Sequence, residues 1–319
     1  MPCYLNPDLR HQDANRDLCI VNTALTCQIK LPPGFRRDDV LAFHRRDVQQ
    51  VAERVEEHVL HKGLVWNRGP ACLSFRFDDG AVTVELSIEG MATDDGREKF
   101  ENMARRMLGL TQGVEEFEQR YRAHRQIGSL IGRNTGLRVP MTATPFEALC
   151  WAITGQQISV SAAVSVRRRL IQAAGLRHSS GLWCFPDSAR ITVMSQEALR
   201  QTGLSKTKAQ TLAELSARIE TGSLPLDDWL DSPKEDEIRE RLLNIRGVGP
   251  WTVNYALLRG FGWLDGSLHG DVAVRRNLQV LLGKADKISQ DEAEQWLAVF
   301  SPWRALVAAH LWAMQKVDG

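Results

Sequence analysis

The spacing of apolar positions changes character near residue 109. Before it, residues 24–31 (ALTCQIKL) have the pattern of a strand, and residues 71–88 (ACLSFRFDDGAVTVELSI) alternate about Asp79-Gly80 as a β-hairpin does. Between them, residues 38–61 carry apolar side chains at helical spacing, which predicts a helix. The first twenty residues read as a loose extension. After Gly109 helical periods dominate, interrupted at Pro140, Pro145, Pro186, Pro225, Pro233 and Pro302. The expected fold class is α+β. Residues 1–110 form an antiparallel sheet with helices on one side, and residues 111–319 form an all-helical domain of two lobes with a cleft between them. One lobe spans residues 145–260, and the other combines 111–144 with 261–319.

The most informative stretch is 242–260, LLNIRGVGPWTVNYALLRG, in which a helix end, a Gly-Val-Gly turn and a new helix start follow without a spacer. This is a helix-hairpin-helix pattern. Gly247 and Gly249 permit positive φ, and Pro250 suits the first helical position, where its missing N–H costs nothing. Amides of Gly247, Val248 and Gly249 exposed at such a turn can hold a phosphate without reading a base, with Arg246 adding positive charge beside them. An ordinary glycine-capped αα-hairpin accounts for the turn equally well. Trp251 and Tyr255, four residues apart, share a helix face next to it. Further on, Asp271 precedes an apolar run through Val272, Leu278, Leu281 and Leu282, the position of an N-cap.

With these residues in order, the chain resembles the helix-hairpin-helix DNA glycosylases, most closely the bacterial 3-methyladenine DNA glycosylase II group of alkylation repair. The resemblance runs from Pro145 to Trp312 through PFEALCWAITGQQISVSAA, the CFPD at Cys184, LRQTGLSKTKAQTLAELSARI, TGSLPL, the hairpin, LHGDVAVRR and SPWRALVAAHLW. It implies that Asp271 falls on the family's catalytic aspartate, and that Trp251, Tyr255 and Trp312 line its base pocket. Gln157 falls where the best-studied type of relative carries an apolar wedge that fills the gap left by a flipped base. A helix-end amide tying down its own loop is the alternative for Gln157, and Gln156 reads as structural. The resemblance also implies that backbone groups of Leu243, Ile245 and Val248 could hold a monovalent cation.

The chemistry can be argued from the side chains. Cleavage of an N-glycosidic bond develops positive charge on the sugar, so one fixed carboxylate can both stabilise that charge and direct a water. An N-alkylated purine is already cationic and leaves readily, and aromatic faces attract it. The target must also leave the duplex first. The expected activity is therefore removal of N-alkylated purines from double-stranded DNA, leaving an abasic site. Glycosylases for oxidised or deaminated bases and a non-catalytic DNA-binding module are the alternatives. Relatives that also cut the strand use a lysine on the hairpin helix, where this chain has Trp251, so no lyase activity is expected.

Composition narrows the context. The six cysteines, Cys3, Cys19, Cys27, Cys72, Cys150 and Cys184, are scattered without a C-x-x-C pair, so no iron–sulfur cluster or disulfide frame is expected. His269 and His310 lack metal-ligand spacing, although His269 lies near enough to Asp271 to touch substrate. No apolar run is long enough for a membrane helix or a signal peptide, which points to the cytoplasm; a monomer without a cofactor is expected. A net charge of +1 is small for a DNA binder, but basic residues gather at Arg120, Arg122 and Arg125, at Arg167 to Arg169, and at Arg275 and Arg276. Of the basic groups, Arg246 and one of Lys206 or Lys208 are expected to meet DNA. Trp303 and Arg304 read as packing and ion-pair residues.

Overall fold

The alternation in the N-terminal region builds a five-stranded antiparallel sheet. Its strands are β1 (Asn22–Lys30), β2 (Glu53–Glu56), β3 (Val59–Trp66), β4 (Gly69–Asp78) and β5 (Ala81–Glu89), in the order β1-β5-β4-β3-β2. The computed structural model describes residues 22–90 and 96–314, so Cys3, Cys19 and the whole of the expected extension lie outside the described residues. β4 and β5 pair from Ala71 with Ile88 down to Asp78 with Ala81, which leaves Asp79 and Gly80 as the turn, with Gly80 at φ +72. Val82, Val84, Leu86 and Ile88 all face inward on β5. They meet Phe100, Met103, Ala104 and Met107, which repeat at helical spacing along the helix Gly96–Met107.

The helix expected over residues 38–61 is shorter. A helix runs only from Arg37 to His44, and the chain then forms β2 and β3. Val51, Val55 and Val59 are spaced by four, and four is also twice the strand period, so helical spacing and a buried strand face cannot be told apart there. Pairing of β3 with β4 decides the matter, and β-branched valines favour the pleat.

The helical part has two apolar cores. One is built from residues 146–261 together with Ala52, the other from 114–139 together with 258–311. Local rules explain several helix starts: Thr144, Ser159, Ser205 and Asp271 each cap a helix through a side-chain oxygen, and Ser289 with Glu292 forms a capping box. The helix Pro250–Ala256 passes into a π-helical turn, Leu257–Phe261, which ends at Gly262 with φ +78. Among the described residues no helix is long and apolar enough to cross a membrane.

Sheet and helices are joined by backbone and charge. Trp183 N–H donates to Val51 O and Phe185 N–H to Gly63 O, so the strand-like segment 183–185 lies along β3. A Cβ on Gly63 would sit 2.2 Å from the Trp183 carbonyl oxygen, so only glycine fits. Beside this seam Lys62 is fully buried and donates to Glu53 and Glu147, each at 2.6 Å. Arg167 reaches the same two carboxylates at 3.1 and 2.8 Å, and His44 Nδ1 lies 2.9 Å from Glu53. Burial disfavours charge on Glu53, yet Arg167 and Lys62 outweigh it and hold the carboxyl well below its usual range; Glu147 is lowered in the same way. The Arg167–Arg169 run is therefore not a solvated basic face. Arg168 pairs with Asp47 at 2.6 Å, and Arg169 donates to the Thr202 carbonyl.

Candidate active site

Asp271 sits at the start of the helix Val272–Leu281, as its position in the sequence suggests. Its Oδ1 accepts the N–H groups of Ala273 at 2.9 Å and Val274 at 3.0 Å. Two indoles complete the shell: Trp312 Nε1 donates to Oδ1 and Trp251 Nε1 to Oδ2, each at 3.2 Å. Oδ1 thus takes three donors and Oδ2 one, so Oδ2 keeps the lone pairs for a further partner. The carboxylate is half-buried rather than sealed. Capping and chemistry are compatible, because the bonds that fix the helix also orient the anion.

Around this carboxylate stand the aromatic residues singled out in the sequence. The rings of Trp251 and Tyr255 are 5.4 Å apart and tilted by 33°, consistent with their i, i+4 relation on one helix. Trp251 and Trp312 are half-buried and Tyr255 is buried. One further member was missed: Arg259, four residues beyond Tyr255 on the same face, lies 5.5 Å from the Trp312 ring centroid and 4.6 Å from that of Phe43. Its Nη1 donates to the Pro140 carbonyl at 2.5 Å, and burial lowers its pKa to about 10. The helical spacing Trp251, Tyr255, Arg259 was the signal available for it. Nothing local in the sequence brings Phe43 there.

The hairpin turn departs from expectation in two details. Gly247 has φ +89, and a Cβ there would sit 2.3 Å from Thr211 Oγ1, but Gly249 is extended at φ −108. The Val248 N–H is committed to the Ile245 carbonyl at 3.0 Å and Val248 is buried, so it is not an amide free for a phosphate. The amides of Gly247 and Gly249 donate to no acceptor among the described residues, and no side chain caps the helix Pro250–Ala256. Arg246 is exposed beside them. The carbonyls of Leu243, Ile245 and Val248 are neutral oxygens, a donor set that suits a hard cation, although that of Ile245 also accepts Val248 N–H.

The loop after the helix Pro145–Gly155 is tied to this turn. Gln156 Nε2 donates to Gly247 O at 3.0 Å and to Thr252 Oγ1 at 2.9 Å, so Gln156 holds structure. Lys208 donates to the carbonyls of Thr154 and Gln156 at 2.9 and 2.7 Å, so it clamps the loop instead of facing phosphate; Lys206 is exposed. Gln157, held between these anchors, is exposed at φ +57, a region that residues other than glycine seldom occupy. Ile158 beside it is 40% exposed.

The remaining residues are structural neighbours. His269 Nδ1 lies 2.9 Å from Ser267 Oγ. Trp303 is buried against Phe117 and Tyr121, and Arg304 forms a two-pronged pair with Asp265. Cys72, Cys150 and Cys184 are buried thiols and Cys27 is half-buried.

Residues 150–302 match the family model described as HhH-GPD superfamily base excision DNA repair protein. The DNA-3-methyladenine glycosylase of Bacillus subtilis is 27% identical over 180 residues, which is 56% of this chain and 59% of that protein. The DNA-3-methyladenine glycosylase 2 of Escherichia coli is 29% identical over 188 residues, 58% of this chain and 63% of the relative. The matched regions thus span less than two thirds of either relative's length. The solved 3-methyladenine DNA-glycosylase from Archaeoglobus fulgidus shares the fold with a TM-score of 0.77 at 20% identity, covering 92% of this chain and 99% of that one. Residues 150–302 thus match the HhH-GPD superfamily model, within a chain whose fold is shared almost end to end with that solved glycosylase.

Proposed function

We propose that this protein is a DNA glycosylase that removes N-alkylated purines from double-stranded DNA by hydrolysis and leaves an uncut abasic strand. The observation that carries this reading is the Asp271 carboxylate, fixed by two amides and two indoles with Oδ2 left open between aromatic walls. The match of residues 150–302 to the family model and the names of the two relatives support it.

The duplex is gripped through its backbone. Gly247 and Gly249 amides with Arg246 bind a phosphate near the lesion, and Gln157 enters the space that the extruded nucleotide leaves. A cation on the turn carbonyls would add positive charge toward that phosphate. The flipped base lies among Trp251, Tyr255 and Trp312, whose faces attract a cationic purine. As the C1′–N bond breaks, its electron pair leaves with the base and the sugar becomes cationic. Oδ2 faces that charge and orients a water whose oxygen bonds to C1′ while its proton passes to the carboxylate. The N-terminal end of the helix Val272–Leu281 holds the carboxylate in place through the Ala273 and Val274 amides. With Trp251 at the place where a Schiff-base lysine would stand, strand scission is not expected.

The test is to incubate purified protein with globally methylated duplex DNA, identify freed bases by mass spectrometry and score nicking in the same reaction. Free methylpurine with intact abasic strands is the expected result. Absence of base release would overturn the reading, and nicking that depends on the enzyme would overturn its monofunctional part.

A further inference from the structure

Two guanidinium groups converge on one ring beside the aromatic wall, and neither is neutralised. Arg46 Cζ lies 4.5 Å from the centroid of Phe43 and 5.4 Å from that of Trp151, and Arg259 Cζ lies 4.6 Å from the same Phe43 ring. Neither guanidinium forms an ion pair with a carboxylate among the described residues, although Asp47, Glu53 and Glu147 line the same cavity as Arg46. Those three acids are spent on Arg168, Lys62 and Arg167. Arg259 is 7% exposed, and its Nε is buried with no hydrogen-bond partner among the described residues. Arg46 is exposed at the mouth of the cavity, so its donors can reach an incoming group. An unused buried donor is costly to leave unmade and is best explained by an acceptor that arrives with a ligand.

Position tells which acceptor. Arg259 touches Trp312, and Trp312 holds Asp271, so Arg259 stands on the aromatic wall, and Arg46 joins it across the shared Phe43 ring. A purine whose sugar is held at Asp271 presents to them the edge farthest from the sugar. At position 6 of that edge guanine and its alkylated forms carry an oxo acceptor, whereas adenine and its alkylated forms carry an amino donor. A guanidinium has donors only, so it bonds the first and opposes the second.

We propose that Arg46 and Arg259 are specificity-determining residues that make the pocket prefer purines with an oxo group at position 6, so that alkylated guanine is excised in preference to alkylated adenine. This rests on the glycosylase reading above and narrows its substrate class. Burial first and then the neighbouring Arg46 charge lower the Arg259 pKa, while Tyr255 engages part of its guanidinium, so the two positive charges repel until an acceptor shares them.

The experiment uses the full chain and two duplexes, one methylated globally and one carrying a single hypoxanthine, a neutral base with the same oxo group. Rates of release are compared for 7-methylguanine, 3-methyladenine and hypoxanthine, each normalised to the amount present. For the native protein, the ratio of 7-methylguanine to 3-methyladenine excision is expected above one, with hypoxanthine released as well. Arg46→Gln, an exposed substitution that keeps the fold, should lower that ratio about tenfold, the loss of one charged hydrogen bond, and lower hypoxanthine release by a similar factor. Arg259→Gln should move the ratio the same way; circular dichroism and melting identify a misfolded product, in which case Arg46→Gln alone decides. If the native ratio favours 3-methyladenine, or if Arg46→Gln slows all three bases equally through weaker DNA binding, the assignment is overturned and Arg46 is a backbone contact. Release of no base by the native protein would instead overturn the glycosylase reading itself, so the two failures are distinct.

Discussion

Asp271 is asked to do two things at once, and a single substitution separates them. Asparagine caps helices about as well as aspartate, so Asp271→Asn should leave the melting temperature nearly unchanged while base release falls on the order of 10²–10³-fold. Retained DNA affinity with lost turnover is the expected pattern; a matching loss of stability would mean that the carboxylate only caps. Gly247 offers a second test. Its φ of +89 and the Thr211 hydroxyl 2.3 Å from any Cβ predict that Gly247→Ala destabilises by about 1–3 kcal/mol in urea titration. Thr211→Ala in that background should recover only the steric share. Chain order made Asp271 legible as a helix start, and the carboxylate does cap that helix. It could not reveal that Trp312, 41 residues away, delivers its indole N–H to the same carboxylate, because that meeting depends on how helices pack. Arg46 and Phe43 were illegible for the same reason, since only the fold brings their segment to Arg259, whose own helical spacing from Tyr255 was a local signal.

Helices with strong local signals were readable from spacing and caps, whereas residues 51–59 were not, because valines four apart satisfy two periods at once. What separates those cases is pairing with a distant strand, a property no window of sequence contains. At this scale the helix Arg304–Ala313 matters most for the site, since it carries Trp312 to Asp271. Trp312→Phe keeps a ring for stacking but removes the donor to Oδ1. The turnover number should fall about tenfold with substrate affinity nearly unchanged, measured by single-turnover excision. A fall in affinity alone would show that the indole serves only as a stacking surface.

The whole molecule is sensitive to acid. His310 is 1% exposed, with the Leu130 backbone as the polar group that favours its charged form. Burial, reinforced by Arg36, lowers its pKa from 6.5 to about 4. The unfolded chain therefore binds a proton that the folded chain refuses, so this contribution is complete above pH 6.5 and is lost as pH falls toward 4. Its size is about 3 kcal/mol. The lowered carboxyls Glu53 and Glu147 act in the same direction further into acid. Urea titrations between pH 7 and pH 4 should show stability falling, and His310→Gln should flatten the upper part of that slope; an unchanged slope would count against it. Lys62→Met should cost about 3–5 kcal/mol, since two buried carboxylates would then share a single permanent cation, Arg167. The seam along β3 has a consequence for heredity. Because Val51 and Gly63 supply the backbone partners of Trp183 and Phe185, and Glu53 with Lys62 complete the charges of Glu147 and Arg167, the helical half cannot be transplanted as a module. A chimera that exchanged its sheet for a foreign one would have to import matching acids, the buried lysine and the bare glycine together, so recombination across this boundary should be selected against.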